Sequence, residues 1–197
     1  ATSITESDGV TLSDSVVTGQ LDLATGGATV IGALTATSQT VNLTLGGALT
    51  DGDADAAGAD TTVNVTAGTL NILGNQAVTD IETAVGTLGL TSAATSITEA
   101  DGVTLSDSTV TGQLDLSAGA TVLNNLNAAA NAVNITVSGA ITDGNAATNN
   151  VTAGTLTIAG NQAVTGIETT VTTLDLTTAA TSITESDGVT LSDSVVT

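Results

Sequence analysis

Apolar residues alternate with polar ones in short runs, and one such run recurs along the whole chain. Leu21–Val30 reads LDLATGGATV and Val41–Thr50 reads VNLTLGGALT. The same frame returns as VNVTAGTLNI from Val63, LGLTSAATSI from Leu88 and LDLSAGATVL from Leu114. VNITVSGAIT from Val133, NNVTAGTLTI from Asn149 and LDLTTAATSI from Leu174 complete the set. Period-two alternation predicts strands with Leu21 and Leu23 on one face and Asp22 on the other. The Gly or small residues after each run predict a sharp corner, then a second strand. Gly-Asn-Gln-Ala-Val at Gly74 and again at Gly160 predicts a corner with Asn in a left-handed backbone.

Repetition also appears on a longer scale. ATSITESDGVTLSDSVVT occupies Ala1–Thr18 and recurs unchanged at Ala180–Thr197, 179 positions on. A near copy, ATSITEADGVTLSDSTVT, starts at Ala94. Residues 1–93 therefore form a first half-repeat, 94–179 a second, and 180–197 the start of the next unit. A strand–corner–strand motif this short cannot bury its apolar face alone, but stacked copies share one core. The expected fold is all-β: one continuous parallel β-solenoid, a right-handed β-helix, with no independent domains. Eight motifs per 179-residue unit give an expected coil of about 22 residues. At about 4.8 Å per coil, such a unit would advance about 39 Å. A string of immunoglobulin-like domains matches the half-repeat length, yet gives antiparallel strands no reason to repeat one motif so often.

Composition narrows the picture. Lys, Arg, His, Cys, Met, Pro, Phe, Tyr and Trp are all absent. Apolar residues make up 41% and the mean hydropathy is +0.38, so this is not the signature of disorder. A core of small and branched aliphatics suits a narrow, layered interior. Absence of Pro leaves every coil able to donate its ladder hydrogen bonds. The net charge of −20 repels nucleic acid and anionic membranes. It points to divalent cations, basic proteins or other copies of the chain as partners. No run of eighteen apolar residues is present, so no membrane span is expected in this stretch.

Catalysis is disfavoured by subtraction, since a triad, a Schiff base, an imidazole base and a thiolate all need missing residues. Asp80 and Glu82 in VTDIET are the remaining carboxylate pair of interest, two apart on one strand. Calcium is the better candidate chemistry. Asp51, Asp53, Asp55 and Asp60 alternate through DGDADAAGAD with glycines for tight turns, like the opening of an EF-hand loop without its final Glu. The matching loop from Asp143, DGNAATNN, keeps one acid. A second candidate metal set is Glu6, Asp8 and Asp14, with copies Glu99, Asp101, Asp107 and Glu185, Asp187, Asp193. An outward column of Asp22, Asn42, Asn64, Gly89, Asp115, Asn134, Asn150 and Asp175 is expected to share amide hydrogen bonds along the axis. Asn42, Asn64, Asn134 and Asn150 also stand in N-x-T sequons, which makes them candidate glycosylation positions. No cofactor other than calcium is implied.

The Ala/Gly/Thr/Val/Asn-rich, cysteine-free repeats resemble the repetitive passenger regions of bacterial surface proteins of the filamentous-haemagglutinin and adhesin type. Gly166-Ile167-Glu168-Thr169 followed by Thr173-Leu174-Asp175-Leu176 is similar to strands of large secreted S-layer-like proteins. The resemblance implies a bacterial source, an extracellular or cell-surface location, and a structural role in a filament, sheath or adhesin stalk. A calcium-dependent adhesin or S-layer module is the alternative.

Overall fold

The computed structural model describes residues 1–53, 62–146 and 148–197. Among them there is no helix, and all strands belong to one 21-stranded sheet. Every strand pair in the ladder is parallel, as stacking of equivalent positions requires. The molecule is a parallel β-solenoid.

Each coil has two sides. One is a straight strand of about five residues, such as Leu21–Thr25, whose inward positions Leu21, Leu23 and Thr25 are buried. The other is split by a kink into two short pieces, such as Thr29–Ile31 and the start of Leu34–Leu45. Between the sides lies a single aliphatic core in which Leu23, Ile31, Leu43, Leu49, Leu70, Ile81 and Leu88 are almost fully enclosed. Where the coil narrows at its corners, hydroxyls replace methyls and satisfy each other. Thr25 and Thr29 share a 2.9 Å hydrogen bond, Ser92 and Thr95 one of 2.7 Å, and Thr178 and Thr181 one of 2.7 Å.

The predicted Gly-Asn corners are present. Gly74 has φ 113° and Asn75 φ 55°; Gly160 has φ 127° and Asn161 φ 59°. A side chain on Gly74 would also run into the backbone carbonyl of Leu45 in the coil beneath.

Strand register corrects the expected coil. From Thr2 the paired positions run through Leu21, Val41, Leu70, Leu88, Leu105, Leu123 and Asp143. The same side continues through Val164 to Thr181. Nine steps thus span the 179 residues between Thr2 and Thr181, about 20 per coil, rather than eight of about 22. The recurring motif misses TSITE, because Thr95 and Glu99 occupy two of its three inward positions and only Ile97 is aliphatic.

The half-repeat is not a whole number of coils. The first 93 residues hold five straight sides but four split ones, because Thr87–Ser92 runs on to Thr95–Glu99 with no split side between. Straight strand Thr95–Glu99 then stacks on the split side, opposite Val78, Ile81 and Thr83. Split pieces Val103–Leu105 and Ser108–Val110 stack on straight strand Thr87–Ser92. A second swap, where Thr181–Glu185 stacks on Val164–Thr169, restores the original arrangement. Each half is therefore four and a half coils, and successive halves face opposite ways.

Candidate functional site

The outward column of polar residues divides into two ladders, one per half. Asp22, Asn42, Asn71 and Gly89 are stacked partners. Asn42 Nδ2 donates to Asp22 Oδ1 at 2.6 Å, and Asn71 Nδ2 donates to Asn42 Oδ1 at 2.7 Å. Gln20 donates to both Asp22 oxygens at 2.9 Å. The donors from Asn42 and Gln20 hold the Asp22 carboxyl below its ordinary value. In the second half Asn134 donates to Asp115 at 2.7 Å, and the column continues through Thr157 to Asp175. Amide sharing along the axis is thus present at Asn42 and Asn134, on opposite sides of the solenoid.

Asn64 and Asn150 are not in these columns. Both are 0% exposed, which corrects their assignment as outward glycosylation positions. Alternation resets at the corner, where Asn64 and Val65 are buried in succession, as are Asn150 and Val151. Asn64 Nδ2 donates to the carbonyls of Ile31 and Gly32 at 3.1 Å, and to Asp51 Oδ1 at 2.7 Å and Asp53 Oδ1 at 2.9 Å. Its Oδ1 accepts from Glu82 N–H at 2.8 Å. Asn150 repeats this with Leu123 and Asn124 carbonyls, Asp143, Asn145 and Glu168 N–H. One amide therefore ties its own coil to those below and above.

That clasp explains the first half of the acidic loop. Asp51 and Asp53 are acceptors for Asn64, and their counterparts Asp143 and Asn145 serve Asn150 equally well with one charge fewer. Asp143 titrates below its ordinary value, held by the N–H of Asn145 and the amide of Asn150. Asp55 and Asp60 lie outside the described residues. Among the described residues no three carboxylates converge as a metal site, and this includes Glu6, Asp8 and Asp14.

The glutamate of TSITE has a different position from the one its turn suggests. Glu99 is 3% exposed and reaches down to the coil beneath. It accepts from Thr83 Oγ1 at 2.7 Å, from Val85 N–H at 3.1 Å and from Asp101 N–H at 3.2 Å. Ala100 N–H bonds Thr83 carbonyl as the chain leaves the strand, so the carboxylate supplies Val85 with its acceptor. Burial pushes the Glu99 carboxyl above its ordinary value, against those hydrogen bonds. Glu185 does the same on Thr169 and Val171 at the second swap. The glutamates thus cap the half-coil swaps. Asp14 and Asp193 have left-handed backbones, with φ 47° and 39°, and Asp193 lies within strand Thr190–Val196 where its register shifts.

Asp80 and Glu82 do not form a regular strand pair. Asp80 has φ 49° and sits where the register shifts between Thr95 and Ile97, accepting from Ser96 Oγ at 3.0 Å.

Shallow outward grooves recur at matching places, one along Ser3, Asp22 and Asn42 and one along Ser96, Asp115 and Asn134. A parallel β-solenoid with polar ladders and internal clasps is the class these features define. A scan against protein-family models, a search of curated proteins and a search of solved structures each return no match to the chain.

Proposed function

We propose that this chain is a segment of an extracellular or cell-surface filament, sheath or adhesin stalk of bacterial origin, built by end-to-end continuation of the solenoid. Its work is mechanical and non-catalytic. The observation that carries this reading is the phase of the repeat: 179 residues make nine coils, so Thr181 returns to the side on which Thr2 began. A unit that closes on a whole coil can be repeated without a seam or an accumulating offset. Among the described residues, Asp51, Asp53 and Asp143 are engaged by the buried amides and Glu99 and Glu185 bond to the coil beneath, which supports a structural role for these carboxylates.

Fibre diffraction and electron imaging of the native material test this. The expected result is a meridional spacing near 4.8 Å with an axial repeat of about 43 Å, nine coils at that rise. Beads of about 40 Å without the short spacing would overturn it. Excess EDTA is expected to leave morphology and melting unchanged.

A further inference from the structure

The two polar columns carry different charge. In the first half Asp22 is the one carboxylate: it takes the amides of Gln20 and Asn42, Asn42 takes that of Asn71, and the column continues to Gly89, which has no side chain. In the second half Ser96, Asp115, Asn134, Thr157 and Asp175 are stacked partners in that order. Ser96 Oγ also donates at 3.0 Å to Asp80, which is exposed. This row therefore holds three carboxylates, Asp80, Asp115 and Asp175. At about 4.8 Å per coil they stand about 10 Å and then about 14 Å apart along the axis. Thr157 occupies the place of Asn71, and among the described residues it gives Asn134 no counterpart of the amide bond that Asn71 gives Asn42. Two residues further along each strand, Thr98, Ser117 and Thr136 stack as a second line of exposed hydroxyls and wall a groove past Asp115 and Asn134.

We propose that the row of Asp80, Asp115 and Asp175 is a docking strip for an extended, basic polypeptide segment of a partner protein, with Lys or Arg residues three and four positions apart. Charge complementarity selects the occupant. The chain has no Lys, Arg or His, so every basic side chain that meets this row comes from another protein. An extended segment rises about 3.3 Å per residue, so the two carboxylate spacings match three and four residues. An ammonium or guanidinium meets each carboxylate, while Asn134 Oδ1 and the hydroxyl oxygens of the groove accept the remaining N–H groups.

Other occupants fit less well. A metal ion needs converging ligands, yet among the described residues no three carboxylates converge, and Asp115 already accepts from Gln113 and Asn134. A second copy of this chain brings acidic side chains and no basic one. The strip adds a partner to the filament reading and stands or falls independently of it.

The probe is a synthetic peptide of Lys, Ser and Thr with its lysines three and four positions apart, compared with a peptide of the same composition whose lysines are adjacent. Binding to the full 197-residue chain is followed by fluorescence anisotropy at about 150 mM NaCl, where the Debye length is about 8 Å and diffuse attraction is largely screened. The spaced peptide is expected to bind more tightly than the clustered one. Combining Asp80→Asn, Asp115→Asn and Asp175→Asn is expected to weaken it about tenfold, the scale of three exposed ion pairs. Combining Asp8→Asn, Asp14→Asn and Asp107→Asn removes the same charge away from the row and is expected to change affinity by less than about twofold. Equal weakening by both triple variants, or equal affinity for the two peptides, would overturn the proposal. So would displacement of the peptide by CaCl2 but not by NaCl at matched ionic strength, which would make a divalent cation the occupant. Amide chemical shifts of the wild type give a reading that needs no variant. Peptide-induced changes are expected at Ser96, Asp115, Asn134 and Thr157 and not at Asp22, Asn42 and Asn71; an even spread over both columns would also sink the strip.

Discussion

Asn64 and Asn150 show how much one enclosed amide can hold. Each satisfies carbonyls of the coil below and an N–H of the coil above. Asn64→Ala removes the bonds to the Gly32 carbonyl and the Glu82 N–H, and Asn150→Ala the bond to the Glu168 N–H, while the Ile31 and Leu123 carbonyls keep their bonds from Gly52 and Gly144 N–H. The expected cost is about 1–3 kcal/mol. Hydrogen exchange of the flanking strands is expected to accelerate locally, and an unchanged protection pattern would contradict the clasp. In sequence, VNVT and VNLT look alike, because the corner that moves Asn64 inward lies in the backbone path and not in the residue string.

Glu99 makes a pH-dependent contribution with a definite sign. Its folded-state carboxyl is raised by burial, so the native chain keeps the proton at pH values where the unfolded chain has lost it. That stability is fully present below the ordinary glutamate range and is lost as pH rises through the raised value. Melting temperature should therefore fall as pH climbs through that window, and fall less steeply in Glu99→Gln. Equal slopes in thermal scans of the two proteins would rule out Glu99 as the source. Its role was hidden in sequence, since a glutamate two residues before Asp-Gly reads as part of an acidic turn.

At the scale of the strand, the corners and the half-coil swap govern the path. Gly74 combines φ 113° with a close approach to Leu45 carbonyl. Gly74→Ala is expected to cost about 1–3 kcal/mol, read as a lower midpoint in urea. A substitution at Gly188, which has φ 111° but open space around it, should cost less. The Gly-Asn corners were legible because only a few residue types tolerate that backbone. The swap was not, because nothing local marks the missing split side between Thr87–Ser92 and Thr95–Glu99. It becomes visible only when Thr95 is found opposite Val78 and Thr104 opposite Thr87.

For the molecule as a whole, charge opposes the stack. Twenty acidic side chains face no basic one, and the net charge of −20 makes the compact state repel itself. Screening should therefore stabilise the solenoid: raising NaCl from about 10 mM to about 500 mM shortens the Debye length from about 30 Å to about 4 Å. Melting temperature is expected to rise by several degrees across that range. A flat or falling salt dependence would mean that self-repulsion is already relieved within the fold.

Sequence alone determined that the chain is a repetitive all-β stack with an aliphatic interior, because period-two alternation and recurrence at fixed landmarks follow from residue order. It also determined the Gly-Asn corners and the amide ladder at Asn42 and Asn134. Tertiary structure decided what depends on which residues become neighbours across coils. The nine-coil phase, the two swaps, the burial of Asn64 and Asn150 and the capping by Glu99 are all of this kind. Each is set by strand register between segments about 20 residues apart, and register is a relation between coils that no single run of residues contains.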